Sequence, residues 1–260
     1  MDDIKVTPPH YVCLDLETTG FSFRKNHIID IGLVCMSSDQ VLNILVKSVS
    51  RVPCKITQLT SITTAQLVSN GITTRQACMQ VLMYFMQFAG PCVLIGHNIK
   101  TFDMPFLLRM FEQCGLLDVF QRVKIIGLVD TLLLFRQHHK NTFKNHKLGT
   151  IYKHVIGTTI PNAHRAVADA EALKQICNSS WFSNHHSLET VPLIEWRDML
   201  DMYWERYLRL SQQTKYEGSF CPQCNICIST YFPHFHVKKK KNDETTVINH
   251  GCCNHKLHGR

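Results

Sequence analysis

The segment Tyr11-Val12-Cys13-Leu14-Asp15-Leu16-Glu17-Thr18-Thr19-Gly20 reads as a short buried strand that ends in acid. Tyr11 to Leu16 is apolar or aromatic apart from Asp15, with β-formers at its start. Side chains at i and i+2 of a strand project from one face, so Asp15 and Glu17 stand side by side. Two carboxylates that close raise each other's pKa unless a cation sits between them. Hard divalent ions with oxygen ligands are the usual remedy. Thr18-Thr19-Gly20 then turns the backbone and offers hydroxyls and N–H groups beside such a cation. The plainer reading is two carboxylates at a strand end, open to water.

The chain has 260 residues, enough for one large domain or one domain with an appendage. Its apolar fraction of 45% suffices for a full core. A formal net charge of +8 favours acidic partners, nucleic acid among them. Met1-Asp2-Asp3-Ile4-Lys5 has no basic-then-apolar pattern, and no apolar run approaches membrane-spanning length. The sequence therefore predicts an intracellular protein of nucleus or cytosol, not secreted and without a membrane partner. Twelve cysteines in such a chain argue for buried thiols or metal ligands rather than a disulfide framework.

Residues 10–16, 27–36 and 41–49 read as three strands with short polar connections, which favours antiparallel neighbours. A short helix capped by Thr63 or Thr64 follows, then a helix over 73–88 that Gly90-Pro91 stops. Residues 92–95 form a strand. Asp103-Met104-Pro105 opens a helix ended by Gly115, 124–129 is a strand, and 131–137 is a helix. His138, His139, Lys140, Lys144, His146 and Lys147 read as a basic linker before helices at 148–155 and 167–177. The pattern is α/β: a mixed sheet with helices on its faces. It divides into a main domain at 1–178, a helical extension at 179–217 containing an amphipathic helix over 196–210, and a Cys/His/Lys-rich tail at 218–260.

Two further features carry chemistry. In His97-Asn98-Ile99-Lys100-Thr101-Phe102-Asp103 the acid follows a strand and opens a helix, where a loop can aim it at Asp15 and Glu17. Alone it reads as an ordinary N-cap. In His164-Arg165-Ala166-Val167-Ala168-Asp169 the His and the Asp are five apart, off one face of an ideal helix. A joint site needs His164 on the loop before the helix and Asp169 in its first turns; Pro161 and Asn162 make that loop.

Taken together, Asp15-Leu16-Glu17-Thr18-Thr19-Gly20, His97-Asn98 through Phe102-Asp103, and His164 through Asp169 resemble the three motifs of the DEDDh-type (DnaQ-like) 3′→5′ exonucleases. Leu128 to Leu132 and Leu148 to Tyr152 resemble further family segments, and the likeness covers residues 10–177. It implies a ribonuclease-H-like fold with a mixed five-stranded sheet and helices on both faces. It implies two divalent ions, Mg²⁺ or Mn²⁺, held by Asp15, Glu17, Asp103 and Asp169. His164 would be the general base: an imidazole titrates near neutral pH and can take a proton from the attacking water. Thr18, Thr19, Asn98 and Phe102 match positions that touch the terminal nucleotide, with packing into the core as the other reading of Phe102. The activity implied is hydrolysis of DNA or RNA phosphodiesters from a single-stranded or otherwise accessible 3′ end, releasing nucleoside 5′-monophosphates. One departure stands out. Where the family often shows a His-Gly-Ile-Thr-like segment, this chain has Leu59-Thr60-Ser61-Ile62-Thr63. A non-catalytic nucleic-acid-binding or adaptor protein on the same fold is the alternative.

In the tail, Cys221-Pro222-Gln223-Cys224 is a Cys-x₂-Cys turn, and Cys252 and His255 could complete a structural zinc site. Cys227, Cys253, His258, His234, His236 and His250 are also available, so the ligand set stays open. Lys238 to Lys241 reads as a solvated run, a phosphate contact or a nuclear address.

Overall fold

The structure is a computed structural model that describes residues 7–213, with side chains described to Tyr207. Three strands come first: β1 (His10–Thr18), β2 (Ile28–Cys35) and β3 (Val41–Leu45). Helices α1 (Cys54–Thr60), α2 (Thr64–Asn70) and α3 (Thr74–Met86) lead into β4 (Cys92–Gly96). Then come α4 (Asp103–Gln113), α5 (Leu117–Gln121), β5 (Ile125–Asp130), α6 (Thr131–His138), α7 (Leu148–Ile156), α8 (Ala166–Asn178), α9 (Ser180–His185), β6 (Ile194–Glu195) and α10 (Trp196–Gln213).

The sheet order is β3-β2-β1-β4-β5-β6. The first two hairpin pairings are antiparallel, β1 with β4 and β4 with β5 are parallel, and β6 returns antiparallel. This is the ribonuclease-H-like mixed sheet, its five strands extended by β6. That sixth strand pairs only Ile194 and Glu195 with β5, too few residues to leave a periodic signal in sequence. Strand β3 stops at Leu45 rather than running to 49; Val46 still donates its N–H to the Ile29 carbonyl at 3.0 Å but also bridges Ile72, and the chain turns away after it. The short helices α1, α5 and α9 span at most seven residues each and also escape a periodic reading. Both Thr63 and Thr73 close capping boxes with a Gln three residues on, which fixes the starts of α2 and α3.

One face of the sheet presents Cys13, Val34, Val93, Ile95 and Val129 to a core completed by α6, α7 and α8. Helices α3 and α4 contact β1, β2 and β3 without joining that cluster, so they cover the other face. The stretch after α6 is an irregular connection with Lys140, Lys144 and Lys147 exposed, as a basic linker requires, but one of its histidines is not part of that surface. His139 is buried and its Nε2 lies 2.8 Å from Nε2 of His186. Burial, joined by neighbouring imidazoles, lowers the His139 pKa and takes His186 down to about 4, which favours the neutral rings.

The extension begins with α9, β6 and the first part of α10, which belong to the same compact unit as the sheet; that unit ends at Tyr203. Within it the Trp196 ring meets Phe120 edge-on, and the Tyr203 hydroxyl donates to Glu112 Oε2 at 2.7 Å. The second unit starts at Trp204, whose ring meets Tyr207 edge-on. No helix among the described residues is long and apolar enough to cross a membrane.

Candidate active site

Along β1 the residues facing α8 are Tyr11, Cys13, Asp15 and Glu17. Tyr11 and Cys13 pack into the core, and the two acids continue the same row beyond it. Asp15 is opposite Gly32 on β2, and Glu17 is opposite Asp30. Gly32 decides how close α8 can come. A Cβ there would lie 2.3 Å from the Ala166 carbonyl carbon, so the first turn of α8 rests on bare backbone. That contact delivers Asp169, in the same first turn, to the carboxylates of β1.

Asp103 arrives from the other neighbour of β1. The parallel pairing with β4 ends at Cys13 opposite Ile95, while β1 runs on to Thr18. The Leu16 N–H beyond that point donates to Asp103 Oδ1 at 3.1 Å. Asp103 is the first residue of α4 rather than its cap, and it is buried. His164 sits on the turn before α8, with φ +66°, and its N–H donates to Asp169 Oδ2 at 3.2 Å. One ligand atom from each of Glu17, His164 and Asp169 lies within 4.8 Å of the other two. The structure thus gathers Asp15, Glu17, Asp103, His164 and Asp169 at the C-terminal end of β1.

The electrostatics follow from crowding acids in a partly dry place. Burial, then Asp103, Asp169, Glu17 and Asp30, holds Asp15 well above the usual carboxylate range. Burial, then Asp169, Asp30 and Asp103, pushes Glu17 up to about 8, with Arg165 pulling the other way. Asp103 is pushed up to about 8 by burial above all, against its N–H donors. Asp169 is raised by burial, against the His164 amide and ring. Asp169 Oδ1 is buried and has no hydrogen-bond partner among the described residues. Hard oxygen donors, one of them unsatisfied, fit a divalent ion such as Mg²⁺ or Mn²⁺.

A stability test follows from the same crowding. Carboxylates whose folded pKa is raised bind protons more tightly folded than unfolded, where they titrate near about 4. Their favourable contribution is complete below that pH and is lost as pH rises through about 8. The melting temperature in a chelator should therefore fall by roughly several degrees between pH 5 and pH 8. Saturating Mg²⁺ should flatten the trend. A chelated protein equally stable at both ends would remove the repulsion on which this account of the site depends.

A sequence model of the exonuclease family named RNase T matches residues 12–177. The chain belongs to this exonuclease family. Among curated relatives, a DNA polymerase III of PolC type from Clostridium perfringens is 37% identical over 174 residues, 66% of this chain and 11% of the polymerase. The PolC-type polymerase of Lacticaseibacillus paracasei is 33% identical over 162 residues, 62% of this chain and 10% of its own length. The chain thus spans about a tenth of these relatives. Escherichia coli exonuclease I in complex with a dT13 oligonucleotide superposes with a TM-score of 0.55 at 16% identity, covering 66% of this chain and 42% of that one. A second exonuclease I structure gives 0.58 at 14% identity, covering 78% and 44%. At that identity the likeness shows the fold.

In this exonuclease domain, the residues expected beside a terminal nucleotide have local duties as well. Thr18 Oγ1 donates to the Gly20 carbonyl at 2.6 Å, and Thr19 Oγ1 accepts the His27 N–H at 2.9 Å, so both hydroxyls tie down the turn after β1. Asn98 has φ +74° and accepts the Thr101 hydroxyl on Oδ1 at 2.5 Å. Phe102 is half-buried and its ring lies between Phe106 and Phe21, at 5.1 and 6.3 Å. Asp130 accepts N–H groups from Asn98, Lys100, Leu132 and Leu133, which ties the loop after β4 to the start of α6. Three site neighbours had no sequence reading. Phe21 is 85% exposed beside Phe102, a signal that only exposure reveals. Asp30 and Arg165 pair at 2.8 Å across 135 residues, a contact no local pattern announces. Ser61, in the segment that departs from the family pattern, has φ +60° and ends α1 where glycine is usual. The candidate zinc ligands Cys221, Cys224, Cys252 and His255 lie outside the described residues.

Proposed function

We propose that this chain is a metal-dependent 3′→5′ exonuclease acting on single-stranded 3′ ends of DNA and releasing nucleoside 5′-monophosphates. The observation that carries the reading is the convergence of Glu17, His164 and Asp169 within 4.8 Å at a strand end that also holds Asp15 and Asp103. Asp15, Glu17, Asp103 and Asp169 would hold two Mg²⁺ or Mn²⁺ ions. When bound there, such ions stabilise the negative charge that builds on the attacking and leaving oxygens of a phosphodiester. A ring nitrogen of His164 takes a proton from the water whose oxygen attacks phosphorus. The bond from phosphorus to the 3′ oxygen breaks, and that oxygen is protonated from solvent. Phe102 and the exposed ring of Phe21 offer apolar surface to the terminal sugar and base.

DNA is preferred over RNA as the proposed substrate because the curated relatives are DNA polymerases and the fold neighbours include complexes with DNA oligonucleotides. A net charge of +8 suits a polyanionic partner. The protein would work inside the cell, in nucleus or cytosol. The test is digestion of 3′-labelled DNA and RNA oligonucleotides of one sequence, with Mg²⁺ and with chelator. Mononucleotide release from DNA that needs Mg²⁺ and outpaces release from RNA is expected. No release from either ends the catalytic reading; faster release from RNA ends the substrate assignment.

A further inference from the structure

We propose that Asp30 and Arg165 form a positioning pair that fixes the turn carrying His164 over the acid cluster, an assignment that rests on the hydrolytic reading above. Asp30 is fully buried in the apolar strand β2. A carboxylate so placed is costly unless it is paired and hydrogen-bonded. Its Oδ2 accepts the Arg165 Nε–H at 2.8 Å and the Ala166 N–H at 3.2 Å. Those two donors flank one peptide, the joint between the His164 turn and α8.

The joint's own closure is one backbone bond, from the Arg165 N–H to the Asn162 carbonyl at 3.2 Å. Arg165 occupies the N-cap of α8, and its side chain caps nothing. Helix starts need an acceptor for their first N–H groups and favour negative charge there. Asp30 supplies both from a strand that lies far earlier in the chain. The turn also needs restraint, because Asn162 and His164 both take the left-handed backbone region, at φ +53° and +66°. A side chain there carries a steric cost, smaller for Asn than for most residues, which neighbouring contacts offset. The His164 amide is tied to Asp169 on one side, and Arg165 and Ala166 are tied to Asp30 on the other.

The anchor is also aimed at the site. Asp30 is the cross-strand partner of Glu17, so holding Arg165 there sets the guanidinium near the Glu17 carboxyl. Only Nε of the guanidinium meets the carboxylate, and the Arg165 side chain keeps 35% of its surface exposed. Asp30 Oδ1 is buried without a partner among the described residues. A pair selected for strength alone would use both oxygens in a bidentate fork. The geometry seen trades that second bond for the place where Arg165 and Ala166 are held.

The full chain carrying Asp30→Asn, Arg165→Ala or Arg165→Lys tests the pair. Three readouts are needed: thermal unfolding, the His164 ring resonances by NMR (assigned by comparison with His164→Ala), and kcat and KM on a 3′-labelled DNA oligonucleotide with Mg²⁺. Variants that fold should move the His164 resonances toward those of an unstructured histidine. They should lower kcat by about 10²-fold, the scale of a misplaced catalytic group, with KM nearly unchanged. Arg165→Lys should recover part of the loss in kcat. If Asp30→Asn does not fold, the two Arg165 variants decide, since that side chain is partly exposed. Folded variants with wild-type His164 resonances overturn the pair, as does a parallel change in kcat and KM that follows lost thermal stability. A wild-type protein that digests nothing while its His164 resonances respond to the substitutions removes the hydrolytic reading and leaves the pair standing.

Discussion

Asp15→Ala should lower Mg²⁺-dependent release of mononucleotides by about a thousandfold or more. Charge stabilisation by bound ions contributes several kcal/mol to such a step, and each roughly 1.4 kcal/mol is a factor of ten. Asp15 is the acid most crowded by the others, facing Asp103, Asp169, Glu17 and Asp30 together. Removing it takes away a donor that faces all the other acids of the group. It also relieves like-charge repulsion, so the metal-free variant should melt at or above the wild-type temperature at pH 8. Loss of activity with retained or improved stability separates a missing ligand from a broken fold. Calorimetric titration with Mn²⁺ supplies the third readout, where binding should weaken strongly. Activity that survives this change belongs to a contaminant or to another site.

His164→Ala should lower kcat by about 10²–10⁴-fold, the usual range for losing a general base. Its signature differs from that of Asp15→Ala. The carboxylates remain, so divalent-ion binding should persist. The imidazole is exposed, and truncation leaves room beside Glu17 and Asp169, so free imidazole in the buffer should restore part of the rate. Imidazole should do nothing for Asp15→Ala. If His164→Ala loses ion binding as completely as Asp15→Ala, the ring is a ligand rather than a base. If it loses nothing, the proton leaves by another route.

Much of this architecture was legible because it is local. The period of two along β1 put Asp15 and Glu17 on one face, a capping threonine announced α2, and the apolar period announced α3. The separation of His164 from Asp169 required a turn before the helix, and a turn is there. What escaped depends on contacts across the chain. Asp30 looks like a blemish in an apolar strand until Arg165 is seen against it. His139 looks like part of a charged linker until His186, 47 residues on, takes its ring nitrogen. Phe21 could be core by composition, and only the surface shows it bare. Asp103 was aimed at Asp15 and Glu17 by its place after a strand, but its anchor was not legible: β1 outruns β4, and the Leu16 amide left there donates to that carboxylate. Strand β6 is too short to be seen by any window.

Gly32 has no functional group, yet it governs the chemistry next to it. A single methyl on it would meet main-chain atoms of α8, which cannot swing aside as a side chain can. The helix would have to lift as a body, and Asp169 and the His164 turn would travel with it. The gauge of the acidic pocket is therefore set by the thickness of one α-hydrogen, and a survey confined to charged residues would pass over the position most able to change it.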